Sequence, residues 1–151
     1  GKLTSFTENF AYIGATPFIF QKSLRENILY GNKLDIEDSV ILETLYKFET
    51  FKEKSSYDLD REVETATLSS GQLQKLAFIR ALLNKPKILL LDEAMANLDE
   101  KSKELVLSIM KDMKITVINS THDPERFVNI DAIIKIESIN EKRIVKKILQ
   151  T

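Results

Sequence analysis

Lys87-Ile88-Leu89-Leu90-Leu91-Asp92-Glu93 is an aliphatic run that closes on two acids. It has no polar alternation, the pattern of a parallel strand covered on both faces. In open α/β sheets ligands bind outside the carboxyl ends of the strands, which is where these acids stand. Upstream, Leu68-Ser69-Ser70-Gly71-Gln72 opens a predicted helix from about Ser70 to Leu83, ended by Pro86. Leu73, Leu76, Ala77, Ile79 and Leu83 form its broad stripe, and Phe78 and Leu82 fill much of the other side. A helix apolar almost all round is usually buried. Downstream, Asp99 caps a predicted helix to about Met113, with Leu105, Val106, Ile109, Met110 and Met113 inward. Ile115 to Asn119 reads as the next buried strand, Ala132 to Ile136 as another, and Arg143 to Leu149 as a weaker one at an edge. Strand, helix and strand in alternation predict right-handed crossovers and a parallel sheet.

Nearer the start, Phe10-Ala11-Tyr12-Ile13 reads as a short strand closed by Gly14 and Pro17. Leu24 to Leu29 is one or two helical turns, with Ser23 as cap and Gly31 as stop. A further helix is predicted from Asp35 to about Phe48, with Val40, Ile41, Leu45 and Phe48 on one face. Residues 52–66 are polar and read as loop with a short helical piece. Residues 21–86 are thus largely helical and interrupt the strand–helix rhythm, as an inserted helical subdomain would. The α/β core is then 1–20 and 87–151, within one domain spanning 1–151.

Composition narrows the function classes. The 151 residues are 43% hydrophobic and 30% charged, ordinary for a globular chain. Lys and Arg number 22, Asp and Glu 23, for a net charge of -1. Such a balance supplies no basic field for nucleic acid or an anionic membrane. With no cysteine there is no disulfide framework and no thiolate metal site. No apolar run approaches the ~18 residues of a bilayer span.

The strand ends carry the chemistry. Gly14, Ala15 and Thr16 follow the first strand, Asp92 and Glu93 the acidic one, and Ser120, Thr121 and His122 the next. If these strands are parallel neighbours, Asp92, Glu93 and His122, the sole histidine, converge on one rim. A carboxylate suits Mg²⁺, directly or through its waters. A second carboxylate can orient and deprotonate water, and a histidine can contact a transferring phosphoryl group. Ser69-Ser70-Gly71 at a helix start offers backbone N–H donors and a positive dipole end to a phosphate. Each piece alone has a plainer reading: a helix-start acid pair, a structural loop histidine, a simple helix cap. Their order and spacing together favour phosphate chemistry on a nucleotide.

These residues resemble the nucleotide-binding domain of ABC (ATP-binding cassette) ATPases. Leu68 to Gln72 is similar to the LSGGQ signature, with Ser70 where glycine is usual. Ile88 to Asp92 resembles Walker B, followed by the catalytic glutamate at Glu93. Ala96-Asn97-Leu98-Asp99 resembles the D-loop, and Thr121-His122 the switch histidine. Pro17 to Phe20 and Leu24 to Ile28 resemble the segment after the Q-loop in exporter-type domains. The likeness covers roughly residues 10–136. It implies a partial P-loop NTPase-like parallel sheet with an inserted helical signature subdomain. It also implies ATP and Mg²⁺ as cofactors and a second ABC ATPase domain as head-to-tail partner. A transmembrane domain of an exporter would be the other partner, on the cytoplasmic face of a membrane. By this resemblance Asp92 holds Mg²⁺, Glu93 polarises the attacking water and His122 meets the γ-phosphate. Ser69, Ser70, Gly71 and Gln72 address the partner's ATP, and Asp99 acts at the dimer seam. The helical subdomain and the loop near Glu62-Val63-Glu64 face the membrane domain.

Two departures qualify that expectation. No Gly-x-x-x-x-Gly-Lys-Ser/Thr occurs; the only Gly-Lys is Gly1-Lys2, without the earlier glycine and followed by Leu3. The expectation is a C-terminal portion of an exporter-type ATPase domain that lacks Walker A and is inactive alone. The Q-loop glutamine should fall near Ala15, and alanine cannot bind Mg²⁺ or its water. Two other classes stay open: a degenerate or regulatory module completing a partner's ATP site, and an ABC ATPase unconnected with transport.

Overall fold

The structure, a computed structural model, describes residues 9–122, 130–139 and 142–149. The chain forms two compact units, 1–120 and 121–151, which are taken separately.

The first unit is organised by a three-stranded parallel sheet of β1 (Phe10–Ile13), β4 (Ile88–Asp92) and β5 (Thr116–Ser120). Their order is β1-β4-β5, so the aliphatic run occupies the centre. Ile13 pairs with Leu91, Leu91 with Asn119, and Asp92 with Ser120, which fixes the carboxyl ends at one level. Burial differs across this sheet. Leu89 and Leu91 are fully buried, whereas Ile88 and Leu90 on the opposite face are half-buried. β5 is not the buried strand the sequence predicts. Among the described residues it has a single ladder neighbour, and Ile118 is 58% exposed.

Between β1 and β4 lie β2 (Lys22–Ser23), α1 (Leu24–Leu29), α2 (Asp38–Lys47), β3 (Glu62–Val63) and α3 (Ser70–Leu83). Ser23 caps α1 through a full capping box with Glu26, as Ser23's position suggests. Gly31, just beyond α1, takes φ +76, the left-handed geometry that favours glycine at a helix stop. The second helix begins at Asp38 rather than Asp35, with Glu37 at the cap position but no capping bond from its side chain to a helix amide. Its buried face is Ile41, Leu45 and Phe48; Val40, in its first turn, is 44% exposed. The stretch 52–66 holds a 3₁₀ turn over Lys54–Tyr57 and the short β3. Tyr57 stacks on Tyr46 with ring centres 4.1 Å apart and bonds the Phe51 backbone.

α3 is the buried helix its composition predicts: Leu76, Phe78, Ile79, Ala81, Leu82 and Leu83 are all in the core. Gln74 and Lys75 are buried with them. α4 (Glu100–Met113) crosses from β4 to β5, capped by Asp99, whose side chain accepts the Ser102 amide at 2.8 Å. Val106 and Met110 are its buried positions, and Leu105, Ile109 and Met113 pack half-buried beside them.

The second unit contains β6 (Ala132–Ile139) and β7 (Lys142–Leu149), an antiparallel pair with Ile136 opposite Val145. The sequence predicts a further strand of the parallel sheet at 132–136. Instead β6 and β7 form a two-stranded sheet of their own. An apolar run reports burial and leaves its partner unspecified. Among the described residues no helix is long and apolar enough to cross a membrane.

Candidate functional site

Asp92 ends β4 exposed, with Ser120 of β5 beside it in register. The Tyr12 hydroxyl donates to Asp92 Oδ2 at 3.4 Å, a long and weak bond. To reach there, the Tyr12 ring passes over Gly14, where a Cβ would lie 2.8 Å from the hydroxyl. Gly14 therefore makes room for a side chain that contacts the Asp92 carboxylate. A single exposed carboxylate suits Mg²⁺, which takes one or two carboxylates together with waters and substrate phosphates. Among the described residues no group of three or more His, Asp or Glu side chains forms a complete metal cage.

Glu93 turns the chain sharply. Its φ is 50, left-handed for a residue with a full side chain, at a cost of roughly 1–2 kcal/mol. Its amide donates to the Ser120 carbonyl at 3.0 Å, tying the turn to β5. Its carbonyl accepts the Ala96 amide at 3.3 Å, and Leu98 N bonds Met95 O at 3.2 Å. Ala94 and Leu98 are buried and anchor the loop that runs on to Asp99. The residue is half-buried at the strand end.

The Ser69–Gln72 turn is locally closed. Ser69 Oγ accepts the Gln72 amide at 3.2 Å, and Gln72 Oε1 accepts the Ser69 amide at 2.9 Å. This reciprocal capping box gives both residues a structural reason to be present. The hydroxyl still has its proton to donate, because the cap uses only its lone pair. The first intrahelical bond at this end runs from Leu73 N to Ser69 O at 2.9 Å, so the Ser70 and Gly71 amides precede it and head the helix. Ser70 is exposed beside them. Gly71 backs onto the loop after β4: a Cβ there would meet the Asn97 carbonyl at 3.2 Å.

Asp99 is fully engaged within the chain. One oxygen caps α4 at Ser102, and the other pairs with Lys75 Nζ at 2.9 Å. The Lys75 ammonium, with help from the Ser102 amide, lowers the Asp99 carboxyl from 3.8 to about 2. Lys75 also donates to the Glu49 carbonyl at 3.4 Å, and the Glu49 side chain pairs with Lys101. Gln74, fully buried, donates from Nε2 to the Gly14 carbonyl at 3.3 Å.

The structure therefore groups the predicted residues in two sets within the first unit. Asp92 and Glu93 stand at the sheet rim, and Ser69, Ser70, Gly71 and Gln72 stand at the α3 start, joined by the Asn97–Asp99 segment. His122 is exposed and falls in the second unit, two residues past Ser120. Ala15 and Thr16 are exposed after β1, and Gln21 is occupied elsewhere, donating to Glu64 at 3.0 Å.

Sequence reasoning misses Tyr12, Gln74 and Lys75. Polar residues inside an apolar helix are the available signal, since they are buried only when paired. It also misses how residues 17–28 and 62–64 meet. The β2–β3 ladder pairs Ser23 with Glu62, and Leu24 N bonds Arg61 O at 2.9 Å. Asn27, 1% exposed, pins the Phe20 backbone in both directions, at 2.8 and 2.9 Å. Arg80 of α3 adds bonds to the Asn27 and Phe18 carbonyls at 2.7 and 3.0 Å; burial lowers its pKa. These bonds hold out an aromatic patch in which Phe18 is 66% and Tyr30 57% exposed, with Phe20 between them.

Comparison with known proteins gives one family. The ABC transporter family profile matches residues 1–96. A prophage-derived sublancin-168-processing and transport ATP-binding protein of Bacillus subtilis is 34% identical over 128 residues, covering 82% of this chain and 18% of that protein. The alpha-factor-transporting ATPase of Saccharomyces cerevisiae is 31% identical over 146 residues, covering 93% of this chain and 11% of that one. A solved bacterial Atm1-family ABC exporter with ATP bound superposes with a TM-score of 0.74 at 25% identity, over 87% of this chain and 24% of that chain. The chain thus spans between 11% and 24% of the length of these relatives.

Proposed function

The chain belongs to the ABC transporter family, and from that membership we propose that it supplies part of the ATP-hydrolysing domain of an exporter. In this reading residues 1–20 and 87–120 contribute to the α/β core, and 21–86 form the helical signature subdomain. The observation that carries it is the pair of acids, Asp92 and Glu93, at the carboxyl rim of a parallel sheet, with a phosphate-suited helix start packed against the loop that follows them. Gly71 against Asn97 joins the two.

Asp92 would hold Mg²⁺, directly or through its waters, and the metal would neutralise charge on the phosphates. Glu93 orients and deprotonates the attacking water. His122 contacts the γ-phosphate. Ser69, Ser70, Gly71 and Gln72 present hydroxyls and helix-start amides to the ATP of a second ABC ATPase domain, arranged head to tail. Asp99 stands at the seam between them. The Phe18–Phe20–Tyr30 patch and Glu62-Val63-Glu64 form the surface for a transmembrane domain, at the cytoplasmic face of a membrane.

The 151-residue chain carries no phosphate-loop lysine, so alone it binds MgATP weakly and turns it over negligibly. Micromolar affinity for this chain by calorimetry would refute that part. A second reading, a regulatory module that only completes a partner's site, is favoured by Ala15, whose methyl cannot serve the nucleotide site. Glu93 opposes it. The discriminating assay is steady-state ATP turnover of the full-length protein against its Glu93→Gln variant. An enzyme loses its turnover, whereas a module with no site of its own loses nothing.

A further inference from the structure

Lys75 and Gln74 are neighbours on an apolar helix, and both point inward. Lys75 is charged, and its side chain is only 11% exposed. A burial of that kind needs a partner, and Asp99 is the partner at 2.9 Å. Asp99 ends the loop that Glu93 begins. Glu93 is fixed at the other end by its bond to Ser120. One turn earlier on α3, Gly71 touches the middle of the same loop at Asn97. Gln74 reaches the opposite way, to the carbonyl of Gly14 beneath the Tyr12 ring that contacts Asp92. α3 is thus strapped to the loops after both β1 and β4.

We infer that Lys75 is a positioning residue: through Asp99 it locks the Glu93–Asp99 loop to the Ser69–Gln72 turn, so that the two move as one body. The inference rests on the proposed ATPase reading, in which those two groups serve different nucleotides. The lock makes Lys75 the point where occupancy of one site is felt at the other. It also sets the height of Glu93 over the rim, since the loop is short and pinned at both ends. Lys75 touches no substrate.

Two readouts test this. In the 151-residue chain, Lys75→Met keeps most of the buried stem and removes the charge. Amide exchange at Ala96 and Leu98 should speed up by about tenfold or more, as a local opening would give, while the β1 and β4 amides keep their rates. In the full-length protein the same variant should lose about tenfold in kcat per folded molecule with KM for ATP within about twofold, the pattern of an interaction made in the transition state. Lys75→Arg should restore most of the loss. The inference is overturned by unchanged exchange at Ala96 and Leu98. It is equally overturned by unchanged kcat in Lys75→Met, or by Lys75→Arg failing as badly as Met. If Lys75→Met does not fold, Lys75→Gln is read by the same criteria. If the wild-type full-length protein shows no ATP turnover, it is the ATPase reading that fails, and the exchange result still decides the positioning role.

Discussion

The two ends of the site are built on opposite terms. At the α3 start, Ser69 and Gln72 answer each other's backbone amides, so the turn is satisfied before any ligand arrives. At the sheet rim, Asp92 is exposed with a 3.4 Å contact to Tyr12, and Glu93 holds a strained left-handed backbone. The first arrangement stabilises the fold and presents donors as a by-product. The second costs stability and places acids where the proposed reaction would need them. Glu49, Lys85 and Lys114 take the same left-handed φ just past helix ends, so what sets Glu93 apart is its place beside Asp92 at the sheet rim rather than the strain itself. Substitutions at the two ends should therefore separate activity from stability.

The largest effect lies at the rim. In the full-length protein Glu93→Gln should lower kcat by about 10²–10⁴-fold, the scale of a lost general base. The melting temperature should hardly move, because Gln keeps the size and backbone of Glu. Unchanged turnover removes Glu93 from the reaction. Next, Ser69→Ala should destabilise the 151-residue chain by about 1 kcal/mol, the usual value of a helix cap, and denaturant unfolding would measure it. A loss near zero would mean the capping box is idle, and the contrast between the two ends would weaken. Smaller still, Glu93→Gly should stabilise the chain by roughly 0.5–1 kcal/mol by relieving the left-handed φ, although it abolishes activity. Destabilisation there would argue against stored strain.

The smallest effect is in acid. Asp99 has its folded pKa lowered from 3.8 to about 2 by Lys75. A lowered carboxyl pKa means its contribution is complete above the unfolded value and is lost as pH falls through the folded one. Its stabilisation should hold down to about pH 4 and fade between there and about pH 2, and Lys75→Met should shrink that fade to the part that the Ser102 amide maintains. Asp99 is largely exposed, so solvent screening keeps the amplitude small.

Much of this was legible in the sequence. The run 87–93 gives the central strand and its acids because an aliphatic segment without alternation has few other uses. The caps Ser23, Ser69 and Asp99 were readable because short polar side chains before apolar runs bond the helix-start amides. What escaped reading depends on partners far along the chain. The β2–β3 ladder is two residues long and has no period to detect. The pairing of β6 with β7 is a choice of neighbour, which an apolar run leaves open. β5 is half-exposed because it has one ladder neighbour, and composition cannot count neighbours. Lys75 and Gln74 interrupt an apolar helix, and only the fold brings Asp99 and Gly14 to them.

The central claim is that Asp92–Glu93 and Ser69–Gly71 of one chain serve two different nucleotides. Mixing two inactive full-length variants tests it most directly: one copy carries Glu93→Gln, the other a signature substitution at the exposed Ser70, such as Ser70→Asp, which sets a negative charge where the phosphate would sit. In mixed dimers a head-to-tail arrangement leaves one site with both faults and the other intact, so ATP turnover should reappear. With mixed dimers verified by tagged pull-down, no recovery at any mixing ratio would mean that both groups serve a single nucleotide, and the account would be contradicted.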